Sequence, residues 1–78
     1  MLTGVQIRCG RFGLRWSVQE LGKRSKVSSS TIKRIESHDG ISGATAANIA
    51  ALKAALEAAG IEFIGSPTEG PGIRIHRL

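Results

Sequence analysis

WSVQELGKRSKVSSSTIKRIE, residues 16–36, holds two short amphipathic segments on either side of a tight break. Ser17-Val18-Gln19-Glu20 fits a capping box that opens a helix: the serine oxygen accepts from the backbone three residues on, and Glu20 reaches back. Val18 and Leu21 supply its apolar side, with Lys23 and Arg24 mostly outward, and Ser25-Lys26-Val27 forms the break. Ser28 then caps a further helix, with Val27, Ile32 and Ile35 inward and Ser29, Ser30, Lys33 and Arg34 on the other side. A helix that buries one face and offers small polar and cationic groups on the other has the chemistry needed to lie in the major groove of DNA.

Working outward, Thr3 is a candidate N-cap for a first helix reaching about Leu14, with Val5, Ile7, Cys9, Phe12 and Leu14 as its core side. Gly4, Gly10 and Gly13 weaken it by roughly 1 kcal/mol each against alanine, so it must lean on tertiary packing. Trp16 reads as core or as a lid between the first two helices, and Asp39-Gly40 as the turn after the third. Ser42 or Thr45 starts a fourth, longest helix to Ala59, with Ile49, Leu52 and Leu56 at helical spacing and Gly60 just past its end. Ile61-Glu62-Phe63-Ile64 and Ile73-Arg74-Ile75-His76 then read as strands, separated by a loop from Gly65 to Gly72 that holds both prolines. Two strands alone are marginal in water, so this tail must pack on helices or pair with another copy. The expected architecture is mainly α: four helices over residues 1–60 and a short C-terminal β-hairpin or pair of strands over residues 61–78.

With 78 residues the chain forms one small domain near the lower limit of independent stability. Cys9 is the sole cysteine, which excludes an internal disulfide, and it reads as a small buried apolar residue. Cys9, His38 and His76 show no ligand spacing, so no metal or other cofactor is expected. No set of nucleophile, base and acid and no phosphate-cradling glycine loop is present, which argues against an enzyme. There is no signal-peptide pattern and no membrane span, because Thr45, Asn48, Lys53 and Glu57 interrupt the longest hydrophobic stretch; the chain reads as cytoplasmic.

The net charge of +5 is unevenly placed. Residues 1–34 carry eight cationic side chains against Glu20 alone, a net +7, while residues 35–78 carry three against five carboxylates, a net −2. One basic module facing a polyanion fits that asymmetry, with Arg8, Arg11, Lys23 and Lys26 adding long-range attraction. His38 reads either as a phosphate contact or as a solvated turn residue, and His76 as part of the polar face of a strand.

These residues resemble the Cro/CI-type, or XRE, family of bacterial and phage helix-turn-helix regulators over about Ile7 to Leu56. The resemblance is carried by Trp16-Ser17, Glu20-Leu21, Val27-Ser28 and Thr31-Ile32-Lys33-Arg34-Ile35-Glu36. The tail is similar to that of small members with a C-terminal β extension. The resemblance implies a sequence-specific transcriptional regulator, typically a repressor, that binds an inverted-repeat operator in double-stranded DNA as a homodimer. Its recognition helix would lie near residues 28–37. Ser17, Gln19, Ser28, Ser29, Ser30, Thr31, Lys33 and Arg34 would meet DNA, and Ile61, Phe63, Ile73 and Ile75 would serve dimerisation. Four positions depart from the family pattern: Val18 stands where glutamine is usual, Gly22 where alanine is, and Lys26 and Arg15 where glycine is. They motivate an alternative, a helix-turn-helix module that holds a protein partner, as an antitoxin or an antagonist of another regulator does.

Overall fold

The computed structural model describes residues 2–76; residues 77–78 of the expected extension lie outside them. Four helices come first: α1 (Gly4–Gly13), α2 (Val18–Ser25), α3 (Ser29–Glu36) and α4 (Ala46–Ala58). Strands β1 (Ile61–Ser66) and β2 (Glu69–Ile75) follow as an antiparallel hairpin. The arrangement is therefore mixed α and β, with helix predominating.

Each helix begins where a hydroxyl side chain precedes it in extended backbone. Thr3, Ser17, Ser28 and Thr45 all accept from the backbone N–H three residues on, relieving one otherwise unpaired donor at each start. Thr45 rather than Ser42 opens α4. The full reciprocal capping box occurs at α1, between Thr3 and Gln6. At α2 it is only half made, because the Glu20 carboxylate instead accepts from Arg24 Nε at 2.6 Å.

Leu2, Ile7, Leu21, Val27, Ile32, Ile35, Leu52, Leu56 and Ile61 form one core drawn from all four helices and β1. Along α1 the buried face is Ile7, Gly10 and Arg11, with Leu14 packed at its end. Cys9 and Phe12 fall on the opposite side of the same helix. Cys9 is exposed, and Phe12 is 63% exposed, so neither joins the core as its apolar character led us to expect. The α1 glycines mark close approaches. A Cβ on Gly4 would collide with the carbonyl oxygens of Ile35 and His38, and one on Gly10 would meet Ile61 Cγ2 at 3.3 Å.

The hairpin is longer than the sequence suggested. Its strands run through most of the expected loop and leave Pro67-Thr68 as the turn. Gly65 makes this possible: at φ +75° it kinks β1 between Ile64 and Ser66, and a Cβ there would lie 2.2 Å from the Gly70 carbonyl oxygen. Pro71 is tolerated because a strand of a two-stranded sheet has one unpaired edge. The buried Gln6 joins hairpin to helix. Its Nε2 donates to the carbonyls of Ile64 and Gly72, both at 3.0 Å, while its Oε1 accepts from Thr3 N at 3.0 Å and Thr3 Oγ1 at 3.1 Å. Every hydrogen-bonding position of that side-chain amide is filled. Among the described residues no helix is long and apolar enough to cross a membrane.

Candidate nucleic-acid interface

Helix α3 divides by phase. Ile32 and Ile35 point inward at 0% and 1% exposure, while Ser30, Lys33, Arg34 and Ser37 are exposed. Those four stand at helical spacing i, i+3, i+4 and i+7, so they line one outward stripe. Ser37 belongs to it although the sequence reading did not select it; its Oγ donates to the Arg34 carbonyl at 2.6 Å.

The other selected positions play different parts. Ser28 is exposed, but its oxygen is engaged in the cap, accepting from Thr31 N at 3.3 Å and bonding Thr31 Oγ1 at 2.8 Å. Thr31 and Ser29 are half-buried. Ser29 Oγ lies 3.6 Å from where a Gly22 Cβ would stand, which turns it toward α2 rather than into the open stripe. Ser17 and Gln19 are exposed at the start of α2, with Ser17 Oγ accepting from Glu20 N at 3.0 Å. His38 is exposed; its Nδ1 bonds the Arg34 carbonyl at 3.0 Å, which requires the proton on that nitrogen. Trp16 packs against the core, and the Arg24 guanidinium lies 4.4 Å from its ring centroid.

The positive charge is narrower than the sequence count implies. Arg11 does not offer long-range attraction to a polyanion. It is buried in a two-point ion pair with Glu36, Nε to Oε2 at 2.8 Å and Nη2 to Oε1 at 2.7 Å, and its Nη1 donates to the Trp16 carbonyl at 3.0 Å. Hydrogen bonds to Glu36 hold that guanidinium more firmly protonated than usual, against the opposing effect of burial. Arg8 is likewise engaged, by the Glu36 carbonyl and by Asp39 Oδ1 at 3.0 Å. Arg24 pairs with Glu20, Lys53 with Glu57 and Arg74 with Glu62. Among the described residues, the cations without a carboxylate partner are Arg15, Lys23, Lys26, Lys33 and Arg34. All are exposed, and all fall within residues 15–34, on or flanking α2 and α3.

The Arg11–Glu36 pair also fixes the site. It ties the last turn of α3 to α1, and Arg8 adds a second bond to the same turn. Sequence spacing gave no sign of either contact, since the partners lie 25 and 28 residues apart.

On the hairpin, Ile61 pairs with Ile75 and Phe63 with Ile73, so these four side chains share one face of the sheet. That face packs on the helices. Ile61 is 2% exposed and has no free surface to offer a second copy, while Phe63 and Ile73 are half-buried and Ile75 is 48% exposed. On the other face Glu62 Oε1 meets His76 Nε2 at 2.6 Å and Arg74 Nη1 at 3.2 Å. Among the described residues no three His, Cys, Asp or Glu side chains gather into a metal-ligating group.

No protein-family model, curated protein or solved structure matches the chain.

Proposed function

We propose that this chain is a Cro/CI-type helix-turn-helix regulator that binds double-stranded DNA in a sequence-specific manner, as a homodimer on an inverted repeat. The observation that carries this reading is the outward stripe Ser30, Lys33, Arg34 and Ser37, held open by the burial of Ile32 and Ile35. Among the described residues, the confinement of cations without a carboxylate partner to residues 15–34 supports it. Lys33 and Arg34 would bond guanine O6 and N7, each such pairing discriminating by about 1–3 kcal/mol. The short Ser30 and Ser37 let the backbone approach the groove, and Ser17 and Gln19 would bond phosphate at the positive end of α2.

One recognition helix covers few base pairs, so pairing of two copies is the usual source of affinity and specificity. The proposed pairing surface is the outer side of α4 with the hairpin edges, where strand pairing can proceed through backbone groups although Ile61 is buried. The reading is tested by binding to the DNA upstream of its own gene across a salt series, with Lys33→Ala and Arg34→Ala beside the wild type. Site preference in the wild type and its loss in the variants support the proposal. A wild type with no preference at any salt concentration favours a protein-binding module. That second reading draws on exposed Phe12, Ile41 and Ile75, which present apolar surface suited to a protein partner.

A further inference from the structure

Among the described residues, five have φ in the left-handed region: Gly60 at 104°, Gly65 at 75°, Gly70 at 65°, Arg15 at 59° and Lys26 at 65°. Glycine enters that region freely, whereas a residue with a Cβ is strained there. Both exceptions are cations, and they bracket α2. Arg15 precedes its cap Ser17 by two residues, and Lys26 follows Ser25 directly.

Both positions have backbone duties that glycine performs best. Arg15 N–H donates to the Phe12 carbonyl at 3.0 Å and Trp16 N–H to the Arg11 carbonyl at 3.1 Å, the bond pair that closes a helix around a left-handed residue. Lys26 N–H closes α2 by donating to the Gly22 carbonyl at 2.8 Å. After α4, the left-handed residue is Gly60. Glycine therefore serves where backbone geometry alone matters, and a cation stands where α2 begins and ends.

Neither side chain recovers the strain inside the molecule. Both are exposed, and neither meets a carboxylate among the described residues, whereas Arg8, Arg11 and Arg24 each do. Attraction to a helix C-terminus is no sufficient reason, since a cation on relaxed backbone in the last turn gains the same, and α2 already has Lys23 and Arg24 there. Strain that the fold does not repay points to a contact outside it.

We infer that Arg15 and Lys26 are a pair of phosphate clamps, one at each end of α2, that grip the DNA backbone and set how α3 enters the groove. The assignment rests on the DNA-binding reading above. Helix α2 has 8 residues, a length of about 12 Å, and each DNA strand carries a phosphate about every 3.4 Å of axis. Cations that keep this separation along a strand would meet different phosphates. Such contacts position the protein and carry no sequence information.

The test is fluorescence anisotropy on two labelled duplexes of about two helical turns, one from the upstream DNA and one scrambled, over a salt series. Arg15→Gly, Lys26→Gly and the double variant are compared with wild type. Glycine suits both backbone sites, so the variants fold, and each raises Tm by about 4–8 °C for a chain of this size. Each lowers the slope of log affinity against log salt by about 0.9 and weakens binding about five- to tenfold near 0.1 M salt, on both duplexes alike. The double variant shows both losses. Slopes equal to wild type in a protein that still binds DNA overturn the clamp and leave the DNA-binding reading standing. Lost affinity with a lowered Tm assigns Arg15 and Lys26 a structural role and also overturns the clamp. A wild type with no salt-dependent affinity for either duplex overturns both.

Discussion

Breaking the Arg11–Glu36 pair from one side should cost far more than removing it whole. The two side chains are 10% and 7% exposed and meet through two bonds, at 2.7 and 2.8 Å. Glu36→Leu leaves a guanidinium buried without its counter-ion, and Arg11→Met leaves a buried carboxylate and removes a donor from the Trp16 carbonyl. Either change is expected to destabilise by about 3–5 kcal/mol. For a domain whose total stability is about 4–12 kcal/mol, that approaches unfolding. The double variant Arg11→Met/Glu36→Leu removes the desolvation cost with the attraction and should lie within about 2 kcal/mol of wild type, the lost bond to Trp16 accounting for about 1. Urea titrations followed by circular dichroism supply the four corners of the cycle. Single variants that each cost under about 1 kcal/mol would refute this reasoning, because the pair would then behave like a solvated surface contact.

Three further outcomes follow from individual contacts. Gln6→Ala strips the Ile64 and Gly72 carbonyls of their donor, so it should cost about 1–3 kcal/mol and speed amide exchange in the hairpin before the helices. Gly22→Ala gains up to about 1 kcal/mol of helix propensity. Its Cβ, however, would lie 2.9 Å from the Val27 carbonyl oxygen, so denaturant titration should show net destabilisation of about 1–3 kcal/mol. The hydrogen bond from His76 holds the Glu62 carboxyl below its ordinary value of 4.5, with Arg74 assisting. A carboxyl depressed by folding stabilises above its unfolded pKa and loses that contribution as pH falls through the lowered folded value. The NMR titration midpoint of Glu62 should therefore lie below 4.5 and rise in His76→Ala, while Glu62→Gln shows a shallower loss of stability in acid.

What the sequence made legible was local. A hydroxyl residue before an apolar run locates the starts of α1, α2 and α3 and narrows that of α4 to Ser42 or Thr45, and Gly60 marks the end of α4, because capping acts within four residues. The α2 and α3 phases were equally readable, since Leu21, Val27, Ile32 and Ile35 leave little choice of inner face. The first helix was harder. Val5, Ile7 and Cys9 cannot share one helix face, and the real inner side, Ile7, Gly10 and Arg11, contains a glycine and a cation. Hydrophobicity alone cannot select it: it assigns Cys9 and Phe12 to the core and Arg11 to the surface. Gln6 and Glu36 were hidden for a related reason: their partners lie 58 and 25 residues away, and no local pattern signals a buried polar side chain satisfied across the fold. In the candidate site, phase revealed Lys33 and Arg34. It could not show that Ser28 and Ser29 are engaged locally while Ser37 completes the stripe.

The central claim, that the outward side of α3 meets a DNA duplex, is tested most directly by backbone amide NMR during titration with the upstream duplex. The largest shifts are expected from Ser28 to Ser37 and at Ser17 to Gln19, with the hairpin amides near Glu62 and Arg74 unchanged by DNA contact. Shifts centred on Phe12, Ile41 or the hairpin, with α3 silent, would contradict it.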